Sequence, residues 1–177
     1  SSAIGYRFGA RQRNYENYAM VVRGPDYLYA NGIDSGRLSL EYVELNYFEP
    51  SGELTFQSGL GLELRGFALF RLGINNPNKP IYHIPSSQIG GQVLYNLKDK
   101  IRFESTIIRH GERNARLGLA QLDLAPYWDG RMSIVYTYND QLNATFRIDN
   151  IFNSRVDWWT GYTAQGIRAN LGLVYKF

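Results

Sequence analysis

The chain has no cysteine among its 177 residues, which excludes disulfide frameworks, thiolate metal sites and cysteine nucleophiles. It also has no uncharged apolar run approaching the roughly 20 residues that a membrane-spanning helix needs. Histidine is scarce, and because His83 and His110 fall in different predicted loops, we expect no metal site. The sequence has neither a G-x-S-x-G elbow nor a P-loop, so it indicates no enzyme and no cofactor.

Charge of either sign is moderate and scattered. The net charge is +3, and lysine and arginine occur singly rather than in blocks, so we expect no binding to nucleic acid. Glu63 lies two residues from Arg65, and Asp149 lies two residues from Arg147. Residues at i and i+2 share one face of a strand, so these carboxylates are expected to be neutralised rather than catalytic.

The chain is rich in aromatic residues, at 15% with 14 tyrosines, and in two-residue alternation. In the final segment the odd-numbered residues are apolar, namely Ile167, Ala169, Leu171, Leu173, Tyr175 and Phe177. The residues between them are mostly polar or small, and such alternation places the two sets on opposite faces of a strand. A last strand that ends on an aromatic residue is typical of bacterial outer-membrane barrels. The polar set is therefore predicted to face a lumen and the apolar set to face lipid. The predicted C-terminal membrane-insertion signal comprises Leu171, Leu173, Tyr175 and Phe177.

Upstream, alternating segments come in pairs joined by tight turns. One turn falls at Asn139-Asp140, residue types that tolerate positive φ, and another at Lys98-Asp99. The connections at about residues 75–87, 109–127 and 148–167 are long. Short turns at one end and long loops at the other are typical of transmembrane barrels. We therefore predict an all-β fold, a transmembrane antiparallel β-barrel in a single domain over residues 1–177. The alternative is a tyrosine-rich soluble β-sandwich.

The amino-terminal half is less regular. Residues 54–74 keep one parity throughout, which favours a single long strand over a hairpin that turns near Ser58. The parity switches within residues 37–48, which predicts a β-bulge near Tyr42, and residues 49–52 are predicted to form a turn. With two further strands upstream, at residues 4–8 and 18–22, the count is about nine, within a range of eight to ten. A closed bacterial barrel has an even number of strands. Either the first segment is not a membrane strand, or a partner strand lies outside this sequence.

Several short motifs follow one another in the C-terminal half. Residues 149–153 read Asp-Asn-Ile-Phe-Asn and follow a strand, residues 161–162 read Gly-Tyr, and residues 172–177 read Gly-Leu-Val-Tyr-Lys-Phe. Together they resemble the "(E/D)N(L/I)F(D/N)" motif, the Gly-Tyr loop and the "GLxYxF" ending of TonB-dependent outer-membrane receptors. The resemblance extends over about residues 84–177.

This resemblance implies part of a 22-stranded barrel, filled by an amino-terminal plug. Such receptors take up ferric siderophores, cobalamin, sugars or peptides with energy from the TonB complex. The chain is long enough for fewer than half of those strands, so it is expected to supply barrel wall and external loops. The alternative is a small self-closed outer-membrane barrel with a structural, adhesive or pore role.

Either alternative implies the bacterial outer membrane as the location. The expected partners are then outer-membrane lipid, lipopolysaccharide and the barrel-assembly machinery. For a receptor they also include the rest of a larger receptor or another chain.

Aromatic residues in two predicted loops are the candidates for ligand binding. The candidates are Tyr82, His83, Trp158, Trp159 and Tyr162. Their rings are expected either to stack on a ligand or to belong to the aromatic girdle that anchors a barrel at the membrane interface.

Overall fold

The computed structural model describes residues 2–23, 27–29, 32–34, 38–74, 81–117, 119–159 and 161–177. Their regular structure consists of β-strands. None of these residues belongs to a helix long and apolar enough to cross a membrane.

The described residues form fourteen strands, and ten of these belong to one sheet. Their bounds are β1 Ala3–Arg23, β2 Tyr27–Tyr29, β3 Gly32–Asp34, β4 Leu38–Gln57, β5 Leu62–Phe70, β6 Ser87–Leu97, β7 Ile101–His110, β8 Arg113–Leu117, β9 Ala120–Leu124, β10 Tyr127–Thr137, β11 Leu142–Asp149, β12 Asp157–Trp159, β13 Tyr162–Thr163 and β14 Arg168–Tyr175. The order in the sheet is β14-β11-β10-β7-β6-β5-β4-β1-β8-β9. Neighbouring strands pair antiparallel, apart from a single parallel pair between β1 and β8. The predicted all-β class is thereby confirmed.

The register gives the sheet one apolar and one polar face. One row of directly paired residues across six strands consists of Leu171, Phe146, Ile134, Phe103, Tyr95 and Leu62. A row on the opposite face, across seven strands, consists of Asn170, Arg147, Ser133, Glu104, Leu94, Glu63 and Gln57.

Burial identifies the polar face as the inner one. Glu49 and Thr106 point to the polar side and are 6% and 7% exposed, whereas Ile4 and Leu171 on the apolar side are 78% and 79% exposed. A sheet with a polar interior and an apolar exterior is the pattern of a membrane barrel wall.

A hairpin replaces the single long strand predicted over residues 54–74. Strands β4 and β5 are joined by residues 58–61, where Gly61 has φ +81° and a Cβ would collide with the carbonyl oxygen of Asn96. The single-strand prediction is therefore wrong. The hairpin was not recognised because its paired residues, such as Gln57 and Glu63, have the same parity. A turn of this length leaves the alternation unchanged, so parity could not reveal it.

Strand β4 is continuous through the turn predicted at residues 49–52. Pro50 lies opposite Ala10 of β1, and the paired run with β5 begins at the next residue, Ser51. Proline donates no backbone hydrogen bond, so it is tolerated where pairing on one side is interrupted.

The register irregularity lies in β1, between Tyr15 and Tyr18, rather than in β4 near Tyr42. The apolar residues that caused the parity switch in β4, such as Leu45, face inward, where Leu45 is 2% exposed. The switch therefore marks a local apolar patch on the otherwise polar inner face, and the predicted bulge position is wrong.

Strand β1 also unites the two amino-terminal strands predicted at residues 4–8 and 18–22. The sheet then has eight strands of eight or more residues, an even number, together with the short β8–β9 hairpin inside the predicted external loop at 109–127. Ala3 pairs with Gln57 and Tyr175 pairs with Leu142, so the first strand begins and the last strand ends beside the short turns. Below, this end of the sheet is the turn end, and the opposite end is the loop end.

The outer edges of the long-strand array are open over the described part of the chain. Strand β14 pairs with β11 alone, and on its far side β1 pairs only with β8, at Arg23 and Leu117. Strands β1 and β14 do not pair with each other in these residues.

An apolar cluster holds the loop end together. Its buried members are Met20, Val22, Leu45, Tyr47, Ile74, Ile81 and Tyr82. They come from β1, from β4 and from the connection between β5 and β6. Tyr82 of this cluster directly precedes His83, which lines a cavity on the inner face.

Candidate functional site

A cavity of about 840 Å³ opens on the polar inner face at the loop end. Its walls come from the ends of β7, β10, β11 and β14, from β8, and from the connections around residues 83–88 and 154–165. Seven segments thus meet at one place.

The connection before β6 is fixed by backbone hydrogen bonds on both sides. The N–H of His83 donates to the carbonyl oxygen of Asn114 at 2.7 Å, and the N–H of Ser86 donates to that of Glu112 at 2.9 Å. On the other side, Arg71 donates from its backbone to Ser86 and from its guanidinium to Pro85, both at 2.8 Å. This wall of the cavity is therefore anchored to both β5 and β8.

Arg113 is the most buried charged residue of the cavity wall, with 5% exposure. Its Nη1 donates to the carbonyl oxygen of Asp157 at 3.1 Å, and its guanidinium lies 4.8 Å from the ring centre of Tyr127. On that same tyrosine ring His110 stacks at 4.5 Å. Burial lowers the pKa of Arg113, while Tyr127 and Asp157 act in the opposite direction. No carboxylate among the described residues lies within ion-pair distance of it.

His83 lies beside Arg113 on the cavity wall, in a left-handed conformation with φ 64°. Both of its ring nitrogens are buried, and neither has a hydrogen-bond partner in the described part of the chain. Burial lowers its pKa most, Arg113 lowers it further, and Asp157 partly opposes them. His83 is therefore neutral at pH 7.

The part of the cavity wall formed by β11 and β14 carries paired charges. Asp149 accepts from Arg147 Nη2 at 2.7 Å and lies 3.8 Å from Arg168. The predicted neutralisation of Asp149 by Arg147 is thus seen. That of Glu63 by Arg65 is not, because Arg65 pairs with Glu53 at 3.2 Å.

The five aromatic and histidine candidates are not all brought together. His83 and Trp158 line the cavity. Tyr82 is 7% exposed and belongs to the apolar cluster. Trp159 lines a separate apolar groove of about 230 Å³ on the outer face, and Tyr162, in β13, is 53% exposed. Ligand binding by these residues stays a prediction.

Arg113 and His110 fall in the connection at about residues 109–127 that the sequence predicts to be an external loop, where a solvated side chain is expected. That expectation is wrong for Arg113, which is buried. No local sequence pattern predicts the burial of Arg113, because the residues that cover it come from β10 and from the connection after β11. In the part of the chain that the structure describes, no group of three or more acidic or histidine side chains could hold a metal ion.

No protein-family model matches the sequence, and no curated protein matches it significantly. Solved structures do. The siderophore receptor PirA from Acinetobacter baumannii matches with a TM-score of 0.67 and 13% identity, over 98% of this chain and 30% of PirA. The ferric enterobactin receptor PfeA of Pseudomonas aeruginosa matches with a TM-score of 0.66 and 15% identity, over 97% of this chain and 29% of PfeA.

The pyoverdine outer membrane receptor FpvA of Pseudomonas aeruginosa matches with a TM-score of 0.63 and 15% identity, over 98% of this chain and 27% of FpvA. The chain thus spans less than a third of the length of these receptors. Identities this low establish the fold alone. In fold, the chain is an antiparallel β-barrel portion of the kind found in outer-membrane siderophore receptors.

Proposed function

We propose that the chain forms wall and external loops of a TonB-dependent outer-membrane receptor that takes up a siderophore or another large nutrient ligand. The observation that carries this proposal is the cavity of about 840 Å³ at the loop end, on the inner face of a sheet with the receptor fold. A volume of this size falls within the range of small-molecule sites, roughly 300–1,000 Å³.

The chemistry of the cavity wall suits a polar, multiply charged ligand. Three arginines, Arg131, Arg147 and Arg168, approach the cavity from three neighbouring strands, with Asp149 between two of them. Trp158 adds an aromatic surface on which a planar group can stack. We assign Trp159 and Tyr162, which lie outside this cavity, to interfacial anchoring or loop packing.

The apolar outer face supports placement in the outer membrane, in contact with lipid and lipopolysaccharide. Its last strand exposes Leu171 and Leu173 at 79% and 72%. Such a strand is suited to recognition by the barrel-assembly machinery. A small self-closed barrel remains the second candidate. It would require β14 to pair with β1, and the described residues of these strands do not pair.

The test is uptake of radioactive iron by the bacterium that carries the gene, grown under iron limitation with a panel of ferric siderophores. Deletion of the gene should abolish uptake of one ligand of the panel, and collapse of the membrane potential should abolish the same uptake in the undeleted strain. Reintroduced Trp158→Ala should raise the half-saturating ligand concentration, whereas Arg109→Gln, an exposed residue on the outer face, should not.

Unchanged uptake of every ferric siderophore and other large nutrient tested, with the protein demonstrably in the outer membrane, would contradict the proposal. If deletion instead lowers the passive entry of small solutes, the pore alternative is favoured.

A further inference from the structure

We infer that Arg113 and His83 form a subsite for an anionic oxygen group, such as a carboxylate or a phosphate-like dianion, carried by a diffusible ligand. The inference rests on the proposed function for the origin of that ligand. The subsite itself follows from the geometry of the two side chains.

The first argument is a buried arginine without a direct ion pair. Other arginines of the inner face form ion pairs, as Arg71 does with Glu49 at 3.3 Å, Arg147 with Asp149 at 2.7 Å and Arg168 with Asp149 at 3.8 Å. Arg113 is buried, and no carboxylate of the described residues lies within ion-pair distance of it, although Asp157 acts on its pKa from farther away. Its Nε has no hydrogen-bond partner in the described part of the chain. A buried charge is stabilised best by a hydrogen-bonded counter-charge, so an anion that reached the guanidinium would supply the ion pair that the Tyr127 ring and the Asp157 carbonyl oxygen do not.

The second argument is the proximity of unpartnered donors. Arg113 and His83 both line the cavity, and the backbone bond from His83 to Asn114 holds the imidazole next to the first residues of β8. The Nη1 of Arg113 is already engaged by the Asp157 carbonyl and its ring face by Tyr127, so the guanidinium is fixed in place. The Nε of Arg113 and both ring nitrogens of His83 are buried and have no hydrogen-bond partner in the described part of the chain. An anion that enters between the two side chains would accept hydrogen bonds from Nε and from an N–H of His83, and such bonds are charge-assisted and strong.

The third argument concerns protons. The charged groups that face His83 are Arg113 on β8 and Asp157 on β12, and their net effect with burial is to lower its pKa. His83 is therefore neutral in the free protein at pH 7. A bound anion favours the imidazolium, so binding takes up a proton and the affinity rises as the pH falls.

Inorganic sulfate is the probe, because its charge does not change between about pH 5 and pH 8. The protein is purified from membranes in detergent and titrated with sulfate by calorimetry across this range. We expect one site per chain, with an affinity that increases toward low pH by up to about tenfold per pH unit for one linked proton.

Three variants complete the test. Arg113→Gln should weaken sulfate binding by roughly tenfold or more, the usual size of a lost charged hydrogen bond. His83→Gln should retain binding at pH 8 and flatten the increase toward pH 5. Arg109→Gln is the matched control, because Arg109 is an exposed arginine on the outer face of β7, away from the cavity. The titration of this variant should match that of the unaltered protein.

The inference is wrong if the unaltered protein binds no sulfate at pH 5, as would happen if an acidic side chain elsewhere in the protein neutralised Arg113. It is also wrong if His83→Gln leaves the pH dependence unchanged, an outcome that can be read even if Arg113→Gln does not fold. Sulfate titration requires neither transport nor an energy source. A failed uptake experiment therefore leaves this inference standing, and absent sulfate binding leaves the proposed receptor role standing.

Discussion

At the scale of the residue, the partner of each charged side chain is decided by strand register more than by sequence neighbourhood. Glu63 and Arg65 share a face two residues apart, about 6.6–6.8 Å along a strand, whereas directly paired residues of adjacent strands are about 4.5–5.5 Å apart. Glu63 accordingly accepts from Gln57, its cross-strand partner, at 3.2 Å. Arg147 and Asp149 do meet, because the residues opposite Arg147, Ser133 and Asn170, carry no charge.

The two faces of the last strand make a residue-scale prediction. Leu171→Arg places a charge on the apolar face near the bilayer midplane, and it should lower the free energy of unfolding by roughly 2–4 kcal/mol. Asn170→Arg puts the same side chain on the polar face opposite Arg147, where like-charge repulsion should cost about 0.2–1 kcal/mol. Urea titration of the protein in lipid vesicles measures both. Equal losses at the two positions would contradict the assignment of the faces.

At the scale of the element, strand boundaries depend on turns that the alternation does not report. The turn at residues 58–61 became visible only through Gly61 and the pairing of β4 with β5. The tight turn at Lys98-Asp99, predicted from its position between two alternating segments, is confirmed, and both residues have positive φ, 48° and 54°. Asn139-Asp140 is different, since neither residue has positive φ. There the Asn139 side chain accepts from the backbone N–H groups of Gln141 and Leu142.

These two turns should respond oppositely to glycine. Replacing Lys98-Asp99 by Asn-Gly supplies the residues preferred at two positive φ values, and it should raise the free energy of unfolding by about 0.5–1 kcal/mol. Asp140→Gly adds backbone freedom to the unfolded chain without relieving strain, so it should lower that free energy by about 0.4–1 kcal/mol. The same vesicle unfolding assay compares them. A loss of stability for the Asn-Gly variant would argue against this turn geometry.

At the scale of the whole molecule, the question is what covers the open edges of β1 and β14. Unpaired backbone groups are strongly disfavoured in hydrocarbon, so both edges must be paired in the membrane. Under the proposed receptor role, each pairs with a further strand of a larger barrel. In a self-closed barrel they would pair with each other.

The absence of cysteine makes this testable by disulfide formation. A cysteine at Asn170 on β14, combined in turn with one at Gly5 or Gly9 on β1, should give no cross-link on oxidation in membranes. The pair Ala144→Cys with Leu173→Cys, which face each other on β11 and β14, should cross-link readily and serves as the control. Efficient linkage between β1 and β14 would show a small closed barrel instead.

The sequence by itself determined the class of fold, the two faces of the strands and the tight turns near Lys98 and Asn139. These features are local, because a two-residue period and the choice of turn residues need no knowledge of distant parts of the chain. Tertiary structure alone decided the β4–β5 hairpin, the register shift in β1 and the burial of Arg113. Each of these depends on which distant segment lies alongside, and on which face that segment covers. The cavity is the extreme case, since its wall combines segments from residues 83 to 168 whose proximity results from strand order and from loop packing against the apolar cluster.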